Sequence, residues 1–205
     1  MTWEEIQKAA LDKVFSRTNY GVEVALDSAD VADYVKAMPK AARFAMIDLA
    51  EVMPIYRSVE QELPERADGY RLFRVRELAP DFMRLCPDRL TVMGKSNAFR
   101  RINDYQFDGD DLLYVPGSYT GTLVIWYEAL PEDIDEDTPG ETTFSLSEEA
   151  QRAVPLYIAS QIFKEDDISM AVQYLNEYEN VKAMLNARSS QTASGGGFTS
   201  VLGWV

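Results

Sequence analysis

The spacing of hydrophobic residues changes twice along this chain, and this change limits the fold more than any other feature. Up to about residue 54, apolar residues recur every three or four positions, as on amphipathic helices. Between residues 69 and 130 they alternate or form short runs bounded by turn residues, as in β-strands. Helical spacing returns from residue 147 to about residue 187. The sequence therefore predicts an α+β protein, with a helical bundle built from both ends of the chain and an inserted antiparallel β-domain.

Turn residues and charge place the segment boundaries. We expect N-terminal helices of the bundle over 1–54, the inserted β-domain over 55–131, an acidic linker over 132–146, C-terminal helices of the bundle over 147–187, and an extended C-terminal arm over 188–205. The linker is predicted because residues 132–141 carry only acidic charge and contain Pro139 and Gly140, a composition that no core can bury.

Capping residues predict where several helices begin. Thr2, followed three residues later by Glu5, is a capping-box pattern that opens the first helix. Ser147 is a candidate cap for the helix after the acidic linker, and the pair Asp166 and Asp167 is the candidate cap for the last helix. These signals are local and predict helix starts to within a turn.

Two prolines are interpreted as interruptions of helices. Pro39 is predicted to end a second helix, which starts near Ser28 or Asp30, and to open a third that stops before Pro54. Pro155 falls inside the predicted helix after Ser147, where it predicts a kink.

The predicted β-domain is a meander of four to six antiparallel strands joined by short turns. One strand is expected over residues 70–76, where large apolar residues alternate with arginines, and two more hydrophobic strands over 112–115 and 122–127. The turn between residues 108 and 111 contains Gly109.

The ionisable residues exclude several classes of enzyme. The chain has no histidine, which removes the commonest general base, the Ser-His and Cys-His nucleophile pairs and most zinc sites. Its single cysteine, Cys86, has apolar neighbours and is predicted to be buried and inert. The remaining catalytic alternative is a carboxylate- or metal-dependent hydrolase using Asp108, Asp110 and Asp111, but these residues lack the later ligands of a calcium loop and are predicted to form a polar turn. We therefore expect a protein that is not an enzyme, without cofactor or metal.

Charge is distributed unevenly along the chain. Lysine and arginine number 20 against 34 aspartates and glutamates, a net charge of -14, so general binding to nucleic acid or to anionic lipid is disfavoured. Basic residues nevertheless exceed acidic ones between residues 71 and 101. This cationic region suits either nucleic acid or the acidic surface of an identical neighbour, and we favour self-association. The candidate subunit-interface residues are Arg71, Arg74, Arg76, Arg100 and Arg101.

The C-terminal arm ends in apolar residues after three consecutive glycines. The alternation of Phe198, Ser200, Leu202 and Trp204 suits an added strand on the sheet edge of a neighbour, and the alternative is packing on its own subunit. The candidate partner-binding residues of the arm are Phe198, Val201, Leu202, Trp204 and Val205.

Targeting signals are not expected. The first residues lack the apolar segment of a signal peptide, and no uncharged run reaches the roughly 20 residues of a membrane helix. We expect a protein that is made in the cytoplasm and has no membrane partner.

The order of motifs in the second half of the chain resembles that of the head–tail connector proteins of tailed bacteriophages, also called portal adaptor or neck proteins. In that family a tyrosine-rich strand ending in proline, a strand ending near Ala-Leu-Pro, and two helices joined by an acidic turn follow one another. The corresponding stretches here are Asp111–Gly117, Gly121–Pro131, Phe144–Leu146, Ala153–Ala159 and Lys164–Tyr178.

The resemblance implies a structural virion protein at the head–tail interface. Such proteins form a ring, expected to be a dodecamer, beneath the portal protein. They extend the channel for double-stranded DNA, which passes without specific binding, and they dock the next neck or tail protein. A head-stopper or tail-completion protein of the same neck is the alternative. The acidic composition independently suits a DNA channel, because carboxylates do not retain phosphates.

Overall fold

The computed structural model describes residues 1–15, 25–94 and 98–194, and its mixture of helices and antiparallel sheets confirms the predicted α+β class. The helices are α1 (Trp3–Phe15), α2 (Ala32–Ala50), α3 (Val75–Leu78), α4 (Glu148–Gln151), α5 (Val154–Asp166) and α6 (Ile168–Ser194). The strands are β1 (Ile55–Leu63), β2 (Tyr70–Arg74), β3 (Phe82–Leu85), β4 (Thr91–Met93), β5 (Phe99–Arg101), β6 (Gln106–Asp108), β7 (Leu112–Pro116) and β8 (Gly121–Ala129). Short 3-10 helices cover Ala29–Val31 and Pro87–Arg89.

The described residues form two compact units. The helical unit contains Met1–Met53 and the chain from Pro131 onward, and the β unit contains Pro54–Leu130.

Helix α5 lies at the centre of the helical unit, where it packs against α1, α2 and α6. Its position follows from its sequence, because apolar residues surround most of its circumference and need more than one neighbour to be buried. The buried side chains of the unit include Trp3, Ile6, Leu11, Met38, Ala42, Met46, Leu49, Val154, Ile158 and Tyr178.

The predicted helix caps are confirmed. The Thr2 backbone N–H donates to Glu5 Oε2 at 2.9 Å, and the Glu5 N–H donates to Thr2 Oγ1 at 3.3 Å. Ser147 Oγ accepts from the N–H of Ala150 at 3.3 Å at the start of α4. Asp167 Oδ1 accepts from the N–H of Ser169 at 2.9 Å, which caps α6.

Both predictions about prolines are wrong. Pro39 lies inside the single helix α2, and Ser28 caps the 3-10 helix that precedes it. The helix continues because Met38 and Ala42, on either side of the proline, belong to the same buried face, and that burial offsets the lost hydrogen bond. Pro155 lies in the first turn of α5, where no N–H is needed, because the chain ends α4 at Gln151 and begins a new helix.

The acidic segment is attached to the first helix. The N–H groups of Trp3 and Glu4 donate to the carbonyls of Thr142 and Gly140 at 2.8 and 2.9 Å. Ile134 is buried, whereas Glu136 and the other acidic residues at the turn are exposed. This segment therefore keeps most of its carboxylates in water while its backbone is hydrogen-bonded to the start of α1.

The last helix is longer than predicted. Helix α6 continues to Ser194, so residues 188–194, which we predicted as the start of an extended arm, are helical. Residues 195–205 lie outside the described part of the chain.

The β unit consists of two antiparallel sheets. One has the strand order β1-β8-β4-β5, with β3 also paired to β8, and the other has the order β2-β7-β6. Gly121 starts β8 with φ +115°, and a Cβ there would lie 2.3 Å from the carbonyl oxygen of Met93, so the close approach of β8 to β4 requires glycine.

Aromatic contacts join the inner faces of the two sheets. The ring of Phe82 on β3 lies 6.1 Å from that of Phe107 on β6 and 5.8 Å from that of Tyr127 on β8. The buried core of the unit contains Leu63, Val75, Phe82, Leu90, Val92, Ile102, Leu113, Val115, Leu123, Ile125 and Tyr127.

The predicted meander is wrong in strand number and in order. The described residues contain eight strands, and β7 and β8, which follow each other in sequence, belong to different sheets. Strand β8 instead pairs with β1 across all nine residues of each. The strand expected over 70–76 ends at Arg74, because the chain turns into α3 at Val75.

Candidate interaction surfaces

Tyr119 brings two of the predicted interface arginines together. Arg71 Nη1 donates to the Tyr119 carbonyl at 2.8 Å, and Arg71 also donates to the carbonyl of Glu65. The Arg100 guanidinium lies 5.2 Å from the centre of the Tyr119 ring. The ring is held by its hydroxyl, which donates to Asp104 Oδ1 at 2.6 Å, and this bond is the main cause of a raised pKa at Tyr119. The sequence around Tyr119 does not predict these contacts, because Arg71, Arg100 and Asp104 are all at least 15 positions away.

The other three predicted arginines occupy different places. Arg74 lies on β2, 3.8 Å from the carboxylate of Glu77. Arg76 lies exposed on α3, and Arg101 on β5 forms an ion pair with Asp88. The five arginines therefore do not form one cluster. Their role in a subunit interface stays a prediction.

A second polar cluster ties β1 to the interior of the β unit. Asp81 accepts from Arg57 Nη1 at 2.6 Å through Oδ2 and from the Tyr127 hydroxyl at 2.9 Å through Oδ1. Burial and the bond to Asp81 raise the pKa of Tyr127 to about 12. All three groups are satisfied within the protein, so the cluster fixes β1 and β8 rather than offering a free base.

The outer face of the five-stranded sheet carries an arginine stacked on aromatic rings. The Arg89 guanidinium lies 4.8 Å from the ring centre of Tyr56 on β1 and 5.9 Å from that of Trp126 on β8. Such stacking holds the guanidinium flat against the sheet and contributes roughly 0.5–1 kcal/mol at an exposed site.

The outer face of the three-stranded sheet carries an accessible apolar patch. Tyr70 and Leu72 on β2 are 54% and 51% exposed. The register places Tyr70 opposite Pro116 and Leu72 opposite Tyr114, so these four residues form one continuous patch. An exposed patch of tyrosine, leucine and proline is typical of a protein interface. The alternation of residues 70–74, which predicts strand β2, is also the sequence signal for this patch.

The acidic residues of the candidate hydrolase form a turn. Asp108 ends β6, Asp111 precedes β7, and Gly109 between them has φ +60°. In the described ranges, no group of three or more acidic or cysteine side chains is placed to hold a metal ion. Cys86 is buried, and burial is the main cause of its raised pKa, which disfavours the reactive thiolate.

The helical unit contains a buried tyrosine in a polar network. Tyr178 on α6 is fully buried, and its hydroxyl donates to Asp48 Oδ2 on α2 at 2.7 Å. Lys182 donates to the other oxygen of the same carboxylate. Burial, followed by the bond to Asp48, raises the pKa of Tyr178 strongly. This network joins α2 to α6 and has a structural role.

A cleft of about 410 Å³ opens in the helical unit between the start of α1 and α2. Trp3, Val35 and Pro39 form its apolar side, and Lys36 and Glu136 its polar rim. Asp27 and Ser28 also line the cleft, and none of the described residues there belongs to a group of three that could hold a metal ion.

The predicted arm residues Phe198, Val201, Leu202, Trp204 and Val205 lie outside the described residues. Among the described residues, no helix has the length and hydropathy needed to cross a bilayer. No protein-family model matches the chain, and a search of curated proteins gives no significant match.

Proposed function

We propose that this protein is a structural component of a tailed-bacteriophage virion, a head–tail connector that forms a ring beneath the portal protein. The ring extends the DNA channel and docks the next neck or tail protein. In this proposal the helices from both ends of the chain form one bundle, the antiparallel β-domain is an insertion into it, and the residues after the last helix form an extended docking arm.

The observation that carries the proposal is the order of the resembling segments. Asp111–Gly117 and Gly121–Pro131 include strands β7 and β8. Ala153–Ala159 begins at the cap residue of α5, and Lys164–Tyr178 includes the end of α5 and the first part of α6. The acidic turn of the resemblance has a physical reason in this chain, because Asp167 caps α6 directly after α5 ends. Each piece is ordinary alone, and their order supports the assignment.

The charge of the chain also supports the proposal. A net charge of -14 with exposed carboxylates makes lasting contacts with DNA phosphates unfavourable. A channel through which double-stranded DNA must slide needs such a repulsive wall, whereas a lysine- or arginine-lined wall would hold DNA by counterion release.

A ring also needs a surface on each subunit that fits a different surface on the next. The β unit offers Arg74, Arg76 and Arg100 together with the apolar patch of Tyr70 and Leu72. The exposed acids of residues 132–141 offer the opposite charge. A contact between the two is heterologous, and heterologous contacts form a ring when the rotation from one subunit to the next closes.

Negative-stain microscopy of the full chain, alone and mixed with purified portal protein, tests the proposal. We expect rings that stack coaxially on the portal, with a subunit number of twelve by native mass spectrometry. Double-stranded DNA should not be retained on the immobilised protein at physiological salt. Absence of both rings and portal binding would refute the connector assignment. Binding to another neck protein in place of the portal would assign the chain instead as a head-stopper or tail-completion protein.

A further inference from the structure

Strand β1 is a long and regular sheet edge. It pairs with β8 through nine consecutive residue pairs without a bulge, and it is the last strand of its sheet. Within the described part of the β unit, no strand pairs with its outer side. The other terminal strands, β5, β2 and β6, have three, five and three residues. Proteins usually shorten, bulge or cover such an edge, because its unpaired backbone groups can bind another chain.

The direction of the free backbone groups follows from one hydrogen bond. The Trp126 carbonyl accepts from the N–H of Cys86 at 3.0 Å, on the side of β8 that faces away from β1. Ser58 is the register partner of Trp126. Since the backbone groups of Trp126 face away from β1, Trp126 and Ser58 form a non-hydrogen-bonded pair of the antiparallel ladder. The N–H and C=O of Ser58 therefore face away from β8, toward the outer edge of the sheet.

Strand alternation extends this direction to every second residue of β1. The residues whose N–H and C=O groups face outward are Tyr56, Ser58, Glu60 and Glu62. Their side chains are also exposed. The edge therefore presents donors and acceptors at the spacing that an added antiparallel or parallel strand requires.

We infer that this edge of β1 receives residues 195–205 of a neighbouring copy as an added strand, an inference that rests on the ring of the proposed function. A nine-residue strand spans roughly 30 Å, and a segment of eleven residues covers it. The segment follows α6 directly in the sequence and begins with three glycines, which have a low helix propensity.

The chemistry of the segment fits the edge. No charged residue occurs between Ser189 and Val205, so the strand adds no repulsion beside Glu60 and Glu62. Phe198, Thr199 and Val201 are among its β-favouring residues. Main-chain hydrogen bonds supply the affinity in this mode of recognition, and alternate side chains supply the specificity.

Residue-resolved hydrogen exchange of the full chain tests the inference. In wild type at assembling concentration, the outward amides of Tyr56, Ser58, Glu60 and Glu62 should exchange at least about tenfold more slowly than in a variant carrying Phe198→Asp and Trp204→Asp. The amides of Arg57, Val59 and Gln61 bond to β8 and should exchange equally in both proteins. Equal exchange of the outward amides in the two proteins would overturn the inference.

Proline at the edge gives a matched pair of variants. Ser58→Pro removes an outward N–H that β8 does not use, so the sheet is retained and the added strand is blocked. Ser58→Ala retains the N–H and should retain protection of the edge. In a mixture of Ser58→Pro with the double arm variant, only the arm of the first and the β1 edge of the second remain usable. The outward β1 amides of the double arm variant should therefore become protected on mixing, and unchanged exchange of these amides contradicts the inference.

Three outcomes distinguish a failure of this inference from a failure of the proposed function. If protection of the β1 amides from exchange does not fall on dilution, the arm lies on its own subunit, and docking on a neighbour is overturned. Portal-bound rings with unprotected β1 amides overturn this inference and leave the proposed function intact. Protected amides that fall on dilution, without rings or portal binding, overturn the proposed function and leave the strand addition intact.

Discussion

Replacing Tyr178 by phenylalanine removes one buried hydroxyl and changes little else. The ring is fully buried, so the substitution retains its packing, including the contact of 5.1 Å between the ring centres of Tyr157 and Tyr178. The change deletes the bond of 2.7 Å from the hydroxyl to Asp48. It therefore measures what one charge-assisted hydrogen bond between α2 and α6 contributes.

The expected loss follows from the state of the acceptor. A hydrogen bond to a charged group contributes about 1.5–3 kcal/mol. The Asp48 side chain is 35% exposed and retains Lys182, so water and the ammonium group still solvate it after the change. The loss should therefore lie near the lower limit, about 1.5 kcal/mol in the free energy of unfolding. Asp48→Ala should cost more, because it leaves the buried Tyr178 hydroxyl without its main acceptor.

Urea unfolding followed by tryptophan fluorescence gives the measurement for the helical unit. A background carrying Trp126→Phe and Trp204→Phe leaves Trp3, which is buried in that unit, as the only reporter. Tyr34→Phe is the matched control, because that hydroxyl lies 3.4 Å from an exposed carboxylate and should change stability by under about 0.5 kcal/mol. If Tyr178→Phe costs no more than this control, the network does not stabilise the contact between α2 and α6.

Three further predictions concern the β unit. The pKa of Tyr127 is raised from 10.0 to about 12, so its contribution to stability is complete below pH 10 and should fall by about 1.4 kcal/mol per pH unit between pH 10 and about pH 12. Tyr127→Phe should make urea unfolding of the β unit less sensitive to pH in this range, and an unchanged slope contradicts this. The double variant Arg74→Glu with Arg76→Glu should weaken self-association in light scattering and make it less sensitive to salt, and an unchanged oligomer would place the contact elsewhere. Arg71→Glu should instead lower the melting temperature, because Arg71 bonds to backbone carbonyls of its own unit. Nuclease and glycosidase assays with Mg²⁺, Mn²⁺ and Ca²⁺ should show no turnover, and activity that Asp110→Ala abolishes would establish the hydrolase alternative.

Part of the fold was predictable because its signals act within one turn of chain. The caps formed by Thr2 and Asp167 depend on side chains two or three residues from the N–H groups that they bind, and the structure confirms both. The burial of Cys86 was also predicted from its apolar neighbours. Among the candidate site residues, the sequence identified five arginines but could not show that Arg71 is bound to carbonyls of its own unit, since those carbonyls come from distant segments.

The α+β class, the caps at the starts of the first and last helices and the acidic composition could be predicted from the sequence, because periodicity, caps and charge belong to the residues themselves. Only the tertiary structure shows the pairing of β1 with β8, which joins residues 58 to 74 positions apart, and the continuation of α2 through Pro39. The physical reason is the same in both cases. Burial of apolar side chains against a distant segment contributes more free energy than local turn and helix preferences. The spacing of residues along the chain does not indicate which distant segments come into contact.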